Sequence, residues 1–81
     1  MGVRTVSEIE AMAQADTPTA REIVQFFLKN GNQPADYTGL MHLASGGALS
    51  GAVQRLLDDG ILEYVHYPDR ALTKVRLKDF R

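Results

Sequence analysis

The stretch Leu49 to Leu62 constrains this 81-residue chain more than any other part of it. Leu49, Val53, Leu56 and Leu57 recur at spacings that place them on one face of a helix, and Asp58-Asp59-Gly60 ends that helix. Ile61 to Tyr67 follows at once, rich in β-branched, aromatic and aliphatic residues, and predicts a strand. Pro68-Asp69-Arg70 supplies turn chemistry. The returning segment then alternates, with Ala71, Thr73, Val75 and Leu77 on one side and Leu72, Lys74, Arg76 and Lys78 on the other. A helix that stops at a glycine and runs straight into a hairpin leaves few architectures open.

The residues upstream predict three further helices. Ser7-Glu8-Ile9-Glu10 fits a capping box, so a short helix is expected over about Glu8 to Ala15. Thr17 can cap a second helix with Pro18 at its first position, running to Asn30 with Ala20, Ile23, Val24, Phe27 and Leu28 inward and Gly31 as its stop. After the loop Asn30 to Pro34, either Asp36 or Thr38 can cap a third short helix carrying Leu40, Leu43 and Ala44. Ser45 is the expected cap of the fourth. The whole reads as one domain, residues 1–81, mainly α with a small β-hairpin, in which 1–16 is an N-terminal helical extension and 17–81 the core. Val6, Ile9, Met12 and Ala13 form a stripe on the first helix that suits either this core or a second copy.

Composition excludes several classes. There is no cysteine, so disulfide frameworks, zinc fingers and thiol nucleophiles are absent. The first residues lack the apolar core of a signal peptide, and no run approaches the roughly 20 apolar residues that span a bilayer. A soluble, cytoplasmic protein without a membrane partner is expected. Net charge is only −1, but it is unevenly spread. Met1 to Glu63 carries four bases against eight acids, and Tyr64 to Arg81 five bases against two. The C-terminal hairpin is the electropositive pole.

Helix, helix, turn, helix, Gly-Ile-Leu and basic hairpin together resemble the winged helix-turn-helix superfamily, including the small prokaryotic regulators related to MarR. Ser45, Ala48-Leu49, Val53, Leu56, Gly60 and Ile61-Leu62 occupy the places of that family's recognition-helix pattern. The resemblance implies three to four helices plus a two-stranded wing, and a DNA-binding protein that acts as a homodimer in transcriptional or replication and maintenance regulation. It places double-stranded DNA against Ser45, Gly47, Ser50, Gln54 and Arg55 on the fourth helix and against Arg70, Lys74, Arg76 and Lys78 on the wing. The chain departs from the pattern where DNA readers often carry Arg, Lys, Asn or Gln, having Gly46, Gly47, Ser50 and Gly51 instead.

Each of these features has a plainer reading. The glycines either bring a helix start close to a phosphate or merely permit a sharp turn and close packing. A nucleotide-binding loop fits far less well: Gly46 and Gly51 have its four-residue gap, but Ala52-Val53 stands where Lys and Ser/Thr are required. The basic ladder grips phosphate or guards an edge strand, and the local excess of one sign, without alternating acids, favours phosphate. His42 and His66 have no companion at ligand spacing, Asp58 and Asp59 point apart as a solvated helix end, and Tyr37, Tyr64 and Tyr67 suit the edge of a core. No nucleophile, base and orienting group assemble, so neither an enzyme nor a cofactor is expected. A protein-interaction module, an adaptor or inhibitor, is the alternative to DNA binding, motivated by the acidic body and the small-residue helix face.

Overall fold

The computed structural model describes residues 2–14, 16–44, 46–65 and 74–80. Four helices and a two-stranded antiparallel sheet follow in the order α1 (Val6–Gln14), α2 (Pro18–Lys29), α3 (Tyr37–Leu40), α4 (Gly46–Asp58), β1 (Leu62–Val65) and β2 (Lys74–Leu77). None of these helices is long and apolar enough to cross a membrane. The expected cap Ser45, the turn Pro68-Asp69-Arg70 and the strand ends from His66 to Thr73 lie outside the described residues.

Helix α1 begins two residues before its expected start. Its capping box is Thr5-Val6-Ser7-Glu8: the Thr5 hydroxyl accepts from the Glu8 amide at 3.1 Å and the Glu8 carboxylate from the Thr5 amide at 2.9 Å. Ser7 and Glu10 fit the same S/T-x-x-E pattern, so local sequence did not separate the two. What selects Thr5 is its neighbour: Arg4 pairs with the C-terminal segment through the Asp79 carbonyl and a bridge to Phe80, which fixes the chain just before the cap. Ile9 and Ala13 then fall inside the core, so α1 packs within its own chain against α2, while Val3 and Val6 stay exposed.

Helix α2 is capped as its sequence requires, Thr17 accepting from the Ala20 amide. It ends in a turn whose Gly31 has φ +74, with the Asn32 amide reaching back to the Phe27 carbonyl. Of the two caps open for α3, Asp36 is the one used, accepting from the Gly39 amide at 2.9 Å. The α4 terminus repeats the design of α2. Gly60 at φ +76 turns the chain, its amide bonds to the Leu57 carbonyl, and the Ile61 amide bonds to the Leu56 carbonyl. Ile61, read as strand, is spent on this turn and is buried against the core.

The core gathers Ile9, Ile23, Val24, Phe27, Leu40, Leu49, Val53, Leu56, Ile61, Leu62 and Leu77. Leu57 is only partly buried, and Ala52 takes a buried place on α4. In the hairpin, Leu62 faces Leu77, Glu63 faces Arg76, Tyr64 faces Val75 and Val65 faces Lys74. Val75 and Leu77 point into the core, as the alternation predicted.

A third strand position went unread in the sequence. Ala35 exchanges both backbone hydrogen bonds with Val75, at 3.0 and 2.9 Å, on the side of β2 away from β1. Asn32, at φ 60, extends this edge with its side chain. Its Oδ1 accepts from the Leu77 amide at 2.7 Å and its Nδ2 donates to the Leu77 and Phe80 carbonyls at 3.2 and 3.4 Å. Asn32→Ala loses these bonds and meets the strain of a left-handed backbone, and should destabilise the domain by about 2 to 3 kcal/mol. Asn32→Gly should cost less, because it removes that strain. Thermal melts of both variants check the order; equal losses would refute the left-handed contribution.

Candidate nucleic-acid interface

Helix α4 presents Gly47, Ser50, Gly51, Gln54 and Asp58 on one stripe, all exposed. Gly46 has φ +60, so the backbone demands glycine there. Gly47 and Gly51 are different. Neither has a positive φ, and a Cβ placed on either would meet no described atom within 4 Å. Close packing within the chain therefore does not explain them, and each costs about 0.5 to 1 kcal/mol relative to alanine in a helix interior.

The long polar side chains of α4 are engaged within the chain. Gln54 donates to the Asp58 carboxylate at 2.9 Å, one turn along the same helix. Arg55 donates through Nε to Asp16 at 2.5 Å, tying α4 to the junction between α1 and α2. The Asp16 side chain is 2% exposed and that of Arg55 is 61% exposed, so the acid is buried while most of the Arg55 side chain remains in solvent.

The basic ladder occupies the outer face of the hairpin. Lys74 and Arg76 alternate with Val75 and Leu77, which enter the core, and so project from the side of the sheet opposite to the packed one. Lys78 is exposed just beyond the strand. The absence of acids within this segment concealed a partner across the sheet: Glu63, opposite Arg76, accepts from its Nε at 3.0 Å. Lys74 also has a partner. Arg70 and Ser45, which the sequence places at the wing tip and helix cap, lie outside the described residues. The described candidate residues fall into two groups, a small-residue stripe on α4 and a basic face on the outer side of the hairpin.

No family model, curated protein or solved structure matches this chain.

One feature was not anticipated from the sequence. Asp59, taken with Asp58 as a solvated helix end, sits beside Asp16, whose second oxygen is buried with no hydrogen-bond partner among the described residues. Hydrogen bonding with the Asp16 carboxyl, then desolvation and the repulsion between the two charges, raise the Asp59 pKa, and Arg55 opposes the rise. A proton on Asp59 removes the repulsion between the two carboxylates and makes Asp59 a donor toward Asp16. Because the folded pKa lies above the unfolded one, the stabilisation is complete below the ordinary carboxylate range and is lost as pH rises through the folded value. Asp59→Asn carries a permanent amide donor and no charge. It should therefore melt higher than the native chain at neutral pH, with the gap closing below about pH 4. A gap that does not change with pH would show that the Asp16 contact is not its source.

Proposed function

We propose that the chain is a winged-helix DNA-binding module, with α4 seated in the major groove by its first two turns and the hairpin laid along the phosphate backbone. Several features support this architecture. The helices α2, α3 and α4 precede the hairpin in the winged-helix order, and Ala35, between α2 and α3, pairs with the returning strand as a first strand of that fold would. A homodimer in the cytoplasm, regulating transcription or replication and maintenance, is the form in which so small a reading surface gains length and symmetry.

The observation that carries the reading is the exposure of Gly47 and Gly51 with no steric role among the described residues. Small residues on the leading turns of α4 let a helix backbone approach a ligand that side chains would hold off. Asp58 and Asp59 at the other end of α4 set the polarity, directing a polyanion to the first turns. The Arg76 to Glu63 pair is no obstacle, since exposed ion pairs are worth about 0 to 1 kcal/mol and exchange readily for phosphate.

Two measurements test the proposal. Titration of duplex DNA over a salt series should give binding that weakens linearly on a logarithmic plot, and Lys74→Ala with Arg76→Ala should reduce the slope by about two. No binding at low salt would end the DNA reading. Gly51→Leu should stabilise the free protein by roughly 0.5 to 1 kcal/mol and weaken DNA binding by about tenfold or more. Stabilisation with unchanged binding would remove α4 from the interface.

A second reading, docking of this helix face onto a protein, is favoured by the neutrality of the stripe, where Gln54 is already paired with Asp58. The salt series separates the two, since the basic sheet face has no part in that mode.

A further inference from the structure

A groove of about 720 Å³ lies between α2 and the turn that follows α3, away from every residue assigned above to DNA. Its floor is apolar and aromatic. The Phe26 and His42 rings meet edge to face with centroids 5.3 Å apart, and Leu43 lies beside them. Phe26 and Leu43 are only partly buried, so the floor is open to solvent.

Two cations flank it. Arg21 and Lys29 both line the groove and stand eight residues apart on α2, which is about 12 Å along a helix. Most other cations among the described residues are held by the chain itself: Arg4 by the Gly60 carbonyl, Arg55 by Asp16, Arg76 by Glu63, and Lys74 by a partner of its own. Arg21 and Lys29 form no side-chain hydrogen bond or ion pair with any described residue. The one acid in the lining is Glu22, between them in sequence.

We propose that this groove docks an acidic peptide segment of another protein, with an apolar side chain on the Phe26, His42 and Leu43 floor and a carboxylate at each end. The spacing selects the occupant. In an extended peptide, carboxylates four residues apart span about 13 Å, close to the rise along α2 from Arg21 to Lys29. A small carboxylate would reach only one of them. A nucleic-acid strand could stack its bases on the Phe26 and His42 rings, but it carries a phosphate at every residue and would set that charge against Glu22 and against Glu10, whose carboxylate Gln25 holds at 2.9 Å. Glu22, next to Arg21, likewise disfavours a continuous acidic run. The docking does not depend on whether α4 binds DNA.

The test uses the whole chain, labelled with ¹⁵N, and a blocked peptide containing Glu-Ser-Phe-Ser-Glu. Amides of Arg21, Gln25, Phe26, Lys29, His42 and Leu43 should shift saturably, a Gln-for-Glu peptide should bind about tenfold more weakly, and Arg21→Glu with Lys29→Glu should abolish the shifts in a spectrum that stays dispersed. Absence of shifts at about 5 mM peptide, or shifts centred elsewhere, would overturn the proposal. Two further results would also overturn it: stronger displacement of the same amides by duplex DNA, or shifts on dilution of the protein alone, which would give the groove to phosphate or to a second copy.

Discussion

Strand β2 is paired along both edges, and the rest of the domain depends on that. On one side it is zipped to β1; on the other it is held by the Ala35 bridge and by Asn32, whose amide side chain takes the place of a strand backbone. A two-stranded hairpin alone is at best marginally stable in water. Sealed on both edges, and with Val75 and Leu77 inserted among the helices, it becomes a wall of the core. The loop after α2 is thereby anchored, which sets where α3 starts and so where α4 can lie.

The helix ends distribute this order through the chain. Gly31 and Gly60 each turn a helix back on itself with a left-handed residue and cover the last carbonyls, and Ile61 follows directly into the core. Arg4 completes the second of these ends by donating to the Gly60 carbonyl at 2.7 Å while its own backbone joins the C-terminal segment. One N-terminal residue thus closes the end of α4 and ties the start of α1 to the C-terminal segment.

Much of this fold was legible because it rests on local chemistry. Helix spacing in Leu49 to Leu57, the Thr17-Pro18 cap, the glycine stops and the alternation of Val75 and Leu77 are written within a few residues of where they act. What was not legible depends on contacts distant in sequence. Asn32 reads as an ordinary loop residue until Leu77, 45 positions later, is placed beside it. Two capping boxes overlapped at residues 5 to 10, and only the tether of Arg4 to the C-terminal segment distinguishes them. The candidate site divides in the same way. The small-residue face of α4 was visible in the sequence, but the pairing of Arg55 with Asp16 and of Arg76 with Glu63 was not, since neither acid is a helical neighbour of its base.

These pairings change what charge says about this molecule. Counted along the sequence, the bases concentrate in the hairpin; in the fold, Arg76 and Lys74 there have partners, and Arg21 and Lys29 stand on α2 beside an open aromatic floor. An exposed pair costs little to exchange, so the hairpin can still give its cations to phosphate at the expense of weak internal contacts. Arg55 is bound differently. Its partner is almost wholly buried, and withdrawing the guanidinium would leave a carboxylate without compensation in the interior, which costs far more than breaking a surface pair. Arg55 is therefore a structural tie between α4 and the α1 to α2 junction, and under the proposed function any contact of α4 with a partner would fall to its glycine and serine face.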